Sequence, residues 1–128
     1  MKRSVSLVIE GPEGVLLVRR PDDDESLPGL WGLPAASLGE RESERDAVVR
    51  AGRDKLGVEV EPLRPIGADA GMRDWAVRIT VGEPSVPQPA GGTQYVDLRW
   101  GDAEELAPAA RAGSHCARAL LRALGSGW

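Results

Sequence analysis

Residues 31–60 read WGLPAASLGERESERDAVVRAGRDKLGVEV, and this stretch decides the fold of the chain. Ser43 is a favourable helix N-cap, and the acidic residue three positions later gives a weak capping box. The pattern predicts a helix that runs to about Leu56 and ends at Gly57, because glycine is common just after a helix. Residues 35–41 before it predict an irregular loop. The stretch therefore indicates a loop, a helix and a second loop.

One residue inside this predicted helix is unfavourable there. Gly52 destabilises a helix by roughly 1 kcal/mol relative to alanine, and it lacks the side chain that would pack inward. Two interpretations remain open. Either a neighbour such as Trp31 fills the space, or the backbone at this point lies unusually close to the sheet.

Strand and helix patterns flank this stretch on both sides. Apolar residues alternate with polar ones in several short segments, which is typical of strands. Two prolines interrupt the segment after the helix, so it is predicted to be an edge or irregular strand. The predicted strands cover residues 5–9, 15–18, 30–33, 58–66, 75–81 and 94–100, and the predicted helices cover 43–56, 102–106 and 114–124. This order predicts an α/β fold with a mixed sheet covered on both faces.

Composition limits the classes of partner and compartment. The 128 residues are enough for one domain, predicted to span residues 1–128. A pI near 5.0 makes nucleic acid an unexpected partner. The single cysteine excludes an intrachain disulfide, and no apolar run approaches a membrane span, so a cytoplasmic protein without membrane contact is expected. Residues 82–92 hold three prolines and three glycines and predict a long, functional loop.

The decisive stretch also carries a known signature. Glu42, Arg50, Gly57 and Val58 stand at the spacing of the pattern G-x5-E-x7-R-E-U-x-E-E-x-G-U, where U is aliphatic. The stretch therefore resembles the Nudix box, and the preceding Gly-Leu-Trp-Gly-Leu-Pro is similar to the usual approach to it. The chain is identified on these residues as a member of the Nudix hydrolase (MutT-like) superfamily. The resemblance implies a Nudix-type α/β/α sandwich with a mixed sheet, and with the box as a loop-helix-loop over Trp31 to Val58.

The resemblance implies chemistry on phosphorus anhydrides. Nudix enzymes hydrolyse a diphosphate bond in a nucleoside diphosphate linked to another group, with Mg²⁺ or Mn²⁺ on the phosphate oxygens. Carboxylates at helix positions i, i+3 and i+4 share one face and supply the oxygen ligands that these hard cations need. The family places three glutamates there, whereas this chain has Ala51, Asp54 and Lys55. Its Nudix box is therefore degenerate.

The first functional hypothesis retains catalysis. Glu42 and Asp54 are the candidate metal ligands, and Arg50 orients Glu42 through a charge-assisted pair. These three residues form the candidate catalytic set. A weakly bound Mg²⁺ or Mn²⁺, completed by the phosphates of the substrate, predicts weak or altered pyrophosphohydrolase activity.

The second hypothesis drops catalysis. At about 4 Å, the Lys55 ammonium repels a divalent ion by about 2 kcal/mol in a water-like dielectric and by more in a cleft. Lys55 then replaces the metal as a fixed positive charge, and the domain is an inactive, metal-independent nucleotide-binding or sensor module with no cofactor. A structural or interaction protein is the third hypothesis, and a homodimer is open under all three.

Further residues are candidates for contact with a nucleotide-like ligand. Arg19, Arg20 and Arg73 are predicted to bind phosphates together with Lys55. Trp31 and Tyr95 are candidates for stacking on a base. Each also has an ordinary interpretation, since arginines at strand ends are commonly solvated and tryptophans commonly belong to the core.

Overall fold

The computed structural model describes residues 2–86 and 95–128. Over these residues the chain forms seven strands, which are β1 (Ser4–Gly11), β2 (Gly14–Arg19), β3 (Trp31–Gly32), β4 (Ala35–Ser37), β5 (Glu59–Asp69), β6 (Met72–Val81) and β7 (Asp97–Gly101). Three α-helices accompany them, α1 (Glu44–Ala51), α2 (Ala107–Arg111) and α3 (His115–Ala123). A π-helical turn spans Gly52–Leu56 and a 3₁₀ turn spans Ala103–Leu106. Most of the predicted functional loop lies outside the described residues, because only 82–86 belong to them.

The sheet is mixed, as predicted. Its strand order is β3-β2-β1-β6-β5, with β4 paired to β1 and β7 paired to β2. Strands β1 and β6 run parallel, and the other pairs are antiparallel. Strand β1 pairs with β2 only beside their turn, at Glu10↔Val15 and Gly11↔Gly14. Its first half is therefore free to pair with β4, from Ser4↔Ser37 onward.

Helices cover both faces of this sheet. Alternate residues of β1 enter different cores, with Leu7 in one and Val8 in the other. Helix α1 covers the first face through Ala47 and Val48. Helix α3 covers the second face through an apolar stripe that includes Leu120. The arrangement confirms the predicted α/β/α sandwich, and it places α1 beside β4 and the start of β1.

The helix of the box begins as predicted and ends differently. The Ser43 hydroxyl accepts a hydrogen bond from the Asp46 N–H at 3.1 Å, which is the expected N-cap. The α-helix ends at Ala51, however, and the chain continues in the π-helical turn up to Leu56. Gly57 then takes a left-handed φ of 68°, which glycine adopts without strain. The prediction of one regular helix to Leu56 is therefore wrong in its last turn.

The structure also decides between the two interpretations of Gly52. A Cβ atom on Gly52 would lie 3.1 Å from both Val60 methyl groups and 3.3 Å from the Val58 carbonyl oxygen. The backbone of the π-helical turn thus lies directly against β5. Trp31 does not fill a space there, because it packs against the core on the other face.

Other predictions failed where local sequence carries no periodic signal. The predicted loop over 35–41 contains β4, whose three residues are too few to show alternation. Helix α2 was not predicted, although Pro108 in its first turn is compatible with a helix start. The last strand begins at Asp97, so Tyr95 and Val96 lie outside it although they were predicted to belong to it. Strand β5 is an edge strand as predicted, and two of its three register shifts against β6 lie at Pro62 and Pro65.

The packing of α3 on β5 depends on a second glycine. A Cβ atom on Gly67 would lie 2.9 Å from the Ala119 carbonyl oxygen of α3, so the helix must move away. We expect Gly67→Ala to lower the free energy of unfolding by about 1–3 kcal/mol. Urea denaturation measures the change, with Gly32→Ala as control because no described atom lies within 4 Å of that Cβ position. Equal losses in both variants would contradict the close approach.

Candidate functional site

Glu42 and Arg50 form the centre of the box. Arg50 donates from Nε to Glu42 Oε2 at 2.9 Å and from Nη2 to Glu42 Oε1 at 2.9 Å. The Gly39 N–H donates to Glu42 Oε1 at 2.8 Å, and Arg50 Nη2 also donates to the Ser37 carbonyl at 2.7 Å. The predicted pair is therefore a bidentate clamp that ties the loop before α1 to the helix and to β4.

This clamp fixes the charge state of Glu42. The hydrogen bonds from Arg50, followed by the one from Gly39, lower the pKa of Glu42 to about 2. The same carboxylate raises the pKa of Arg50. Glu42 is ionised at neutral pH, and protein donors already occupy both of its oxygens.

The second retained carboxylate faces the same guanidinium. Asp54 Oδ2 lies 3.9 Å from Arg50 Nη1, and the Asp54 side chain is exposed. Arg50 thus stands between the two carboxylates that the sequence offers as metal ligands. It neutralises much of the negative charge that would attract a cation.

Lys55 is drawn inward from the π-helical turn, a rare element that often marks functional sites. Its Nζ lies 5.7 Å from the centre of the Tyr95 ring. Tyr95 is almost fully buried, and its hydroxyl accepts a hydrogen bond from the Ala35 N–H at 3.0 Å. Burial, and then the nearby positive charge of Arg20, lower the pKa of Lys55. Lys55 therefore lies in a partly desolvated, electropositive position.

A cleft of about 430 Å³ opens in front of these residues. Its positive side chains are Lys2, Arg20, Arg50 and Lys55, and β4 forms one wall. No carboxylate lies among the described residues that line it. Arg20 forms an ion pair with Asp24 at 3.4 Å, as Arg50 does with Glu42 at 2.9 Å. This basic cleft presents fixed cations to solvent and is suited to an anion.

The described residues do not fit the divalent metal site of the box. Ala51 is buried and has no ligand atom. Lys55 stands in the place of another ligand, and Glu42 is committed to the clamp. Across residues 2–86 and 95–128 no group of three or more His, Cys, Asp or Glu side chains is placed to hold a metal ion.

The remaining predicted residues lie at different places. Arg73 lies beside the cleft, where its Nε is 3.1 Å from Glu44 Oε1. Arg19 forms an ion pair with the acidic loop that follows it, at 3.3 Å from Asp22. The guanidinium of Arg99 lies over the Trp31 ring, and its Cζ atom is 4.3 Å from the centre of that ring. The structure thus brings Lys55, Arg20 and Tyr95 together with the clamp and leaves Arg19 and Trp31 apart from the cleft.

Sequence reasoning missed two groups with unusual surroundings. Lys2 lines the cleft, but a basic residue near a chain start gives no signal for such a role. Asp74 is fully buried, and its Oδ1 accepts a hydrogen bond from Ser6 Oγ at 2.6 Å. Burial is the main cause that raises the pKa of Asp74 to about 7. Asp74 lies just before the predicted strand over 75–81, and a single aspartate gives no signal in the sequence that it will be buried.

Residues 1–124 of this sequence match the NUDIX domain. The chain belongs to the NUDIX family. This confirms the relationship predicted from the box and from the strands around it. Members of this family act on small nucleotide-like substrates and generally use divalent metals such as Mg²⁺ or Mn²⁺.

Solved structures of other proteins share the fold of this chain. An ADP-ribose pyrophosphatase from Streptococcus suis is 22% identical, covers 98% of this chain and 90% of its own, and gives a TM-score of 0.71. A NUDIX hydrolase from Nitrosomonas europaea is 19% identical, with coverages of 98% and 89% and a TM-score of 0.72. The solution structure of the E. coli ORF135 protein is 24% identical, with coverages of 99% and 93% and a TM-score of 0.63.

No curated protein matches the sequence. Within the described residues, no helix has the length and apolar character needed to cross a bilayer.

Proposed function

We propose that the basic cleft of this NUDIX domain binds the pyrophosphate group of a nucleotide-like small molecule without a divalent cation. The observation that carries the proposal is the position of Lys55. It takes the place of a metal-binding glutamate of the box and lies in one cleft with Arg20 and Arg50. The ammonium group supplies there a positive charge that the protein itself holds in place.

The surroundings of Lys55 favour an anionic ligand. Its pKa is lowered by burial and by the charge of Arg20, so a ligand with negative charge relieves the repulsion among these cations. Hydrogen bonds between charged donors and phosphate oxygens contribute about 1.5–3 kcal/mol each. Arg50 is preorganised by Glu42, and the Tyr95 ring supports Lys55, so little side-chain entropy is lost on binding.

Weak metal-dependent hydrolysis is the second candidate function. Membership of the family and the retained carboxylates of Glu42 and Asp54 favour it. To ligate a cation, Glu42 would have to share oxygens that now accept hydrogen bonds from Arg50 and Gly39. The positive charge of Lys55 opposes the same step. A structural or interaction role, with or without a homodimer, stays a prediction that the same experiment addresses.

Titration calorimetry with pyrophosphate, ADP and ADP-ribose tests the proposal, in chelator and again with Mg²⁺ or Mn²⁺. We expect binding in chelator, and Lys55→Gln to weaken it by about tenfold or more, equivalent to about 1.4 kcal/mol. The matched control is Arg53→Gln, which removes one positive charge from the same π-helical turn. Arg53 pairs with Glu59 at 2.7 Å and does not line the cleft.

Other results would select the alternatives. Binding and phosphate release that require Mn²⁺ or Mg²⁺, and that are lost in Glu42→Gln, would establish the hydrolase. No binding and no turnover with any of these compounds would leave the interaction role, which sedimentation analysis then tests through the oligomeric state.

A further inference from the structure

A second, smaller pocket adjoins the basic cleft. It has a volume of about 210 Å³ and is bounded by Arg3, Glu44, Arg73 and the turn between β5 and β6. Ser4 and Met72, which are paired between β1 and β6, line both this pocket and the cleft. The pocket and the cleft therefore share a wall formed by Ser4 and Met72, and a ligand bound in the cleft lies next to the pocket.

One carboxylate holds both arginines of this pocket. Glu44 Oε2 accepts a hydrogen bond from Arg3 Nη2 at 2.5 Å, and Glu44 Oε1 lies 3.1 Å from Arg73 Nε. Glu44 Oε1 also accepts a hydrogen bond from Trp75 Nε1 at 2.8 Å, which anchors the carboxylate to the sheet. The Glu44 side chain is 15% exposed, whereas those of Arg3 and Arg73 are 60% and 48% exposed.

The charges of this trio do not cancel. Two guanidinium groups share one carboxylate, so the pocket retains one net positive charge. Each guanidinium has five N–H donors in a planar fork that matches phosphate, and Glu44 uses only a few of them. Because Glu44 already fixes the positions of the two guanidinium groups, little order has to be created when an anion binds.

We infer that the Arg3–Arg73 pocket binds a further phosphate of the ligand, so that the preferred ligand is an oligophosphate longer than a diphosphate. The inference rests on the proposed function, because it takes Lys55, Arg20 and Arg50 as the site of the first two phosphates. It also gives Glu44 a role as a positioning residue, which holds the two guanidinium groups at the mouth of the pocket.

Calorimetric titration in chelator tests this inference, with adenosine mono-, di-, tri- and tetraphosphate as ligands. For the native protein we expect the affinity to rise by about tenfold from the diphosphate to the longer compounds. Arg73→Gln and Arg3→Gln are each expected to reduce that rise to below about threefold. The control is Arg78→Gln, which removes the same charge from β6 at a residue paired with Glu61. It should keep the full rise.

The outcomes separate this inference from the proposed function. If the affinity does not increase beyond the diphosphate, while Lys55→Gln still weakens the binding of ADP, then phosphate binding in the second pocket is refuted and the proposed function stands. If Arg78→Gln reduces the rise as much as Arg73→Gln does, the effect is one of overall charge and the inference is also refuted. If none of the four compounds binds, both fail together.

Discussion

Asp74→Asn makes the protein more stable than the native chain at pH 8, by roughly 4 kcal/mol, and leaves its stability at pH 4 nearly unchanged. The native carboxyl is fully buried in β6 and accepts one hydrogen bond, from Ser6. Its second oxygen has no hydrogen-bond partner among the described residues. An ionised carboxylate in that position is costly, and an asparagine avoids the ionisation while its oxygen keeps the bond from Ser6.

The direction of the pH effect follows from the raised pKa of Asp74. Burial, with a further contribution from the charge of Asp69, raises this pKa to about 7 from an ordinary value of 3.8. The folded state therefore binds the proton more tightly than the unfolded state does. The stabilisation by this proton is fully present below pH 3.8 and is lost as the pH rises to about 7. Each unit of difference between the pKa in the folded state and the pKa in the unfolded state corresponds to about 1.4 kcal/mol of unfolding free energy.

Urea denaturation at half-unit steps between pH 4 and pH 8.5 measures this prediction. The difference in unfolding free energy between Asp74→Asn and the native protein should grow with pH and level off above about 7. Asp23→Asn removes a carboxylate from an exposed loop and should show no such growth. Parallel profiles for the native protein and Asp74→Asn would show that the buried carboxyl does not titrate in this range.

Glu42→Gln destabilises the protein at pH 7 by about 2 kcal/mol, because it replaces a charged acceptor of three hydrogen bonds by a neutral one. This loss of stability is smaller than the sum of the three hydrogen bonds, because the Arg50 side chain is 40% exposed and water solvates it once it is released. The variant also frees Arg50 from its fixed position in the cleft. Binding of pyrophosphate should therefore weaken together with stability.

The pH dependence for Glu42 has the opposite sign to that for Asp74. Arg50 and Gly39 lower the pKa of Glu42 to about 2 from 4.5, so its stabilisation is present above pH 4.5 and is lost as the pH falls to about 2. The native protein and Glu42→Gln should thus converge in acid. Denaturation at pH 3, 5 and 7 tests this, with the exposed Glu40→Gln as control. A constant difference across these values would contradict the clamp.

Both groups together shape the stability profile of the native protein. Stability from Glu42 rises until about pH 4.5, whereas stability from Asp74 declines above pH 3.8. The two opposing contributions place the stability maximum of the native protein between about pH 4 and pH 5. Asp74→Asn should extend this maximum towards neutral pH.

Local sequence determined the elements that depend on neighbours in the chain. The Ser43 cap, the Gly57 helix end and the alternation in β1 and β6 were all predictable, because hydrogen bonds and side-chain direction follow from adjacent residues. The spacing of Glu42 and Arg50 likewise predicted their pair, since one loop and one helix connect them. With the box spacing, these features are sufficient to assign the family and the mixed sheet.

Only the tertiary structure decided which distant residues share a surface. Lys55 meets Arg20 in one cleft, and Glu44 gathers Arg3 and Arg73, because strand order brings the start of β1 beside α1 and β6. The burial of Asp74 has the same origin, since a helix from the chain end covers that face of β6. Charge and polarity can be read from each residue, but whether a charge is desolvated or paired depends on contacts between segments far apart in sequence.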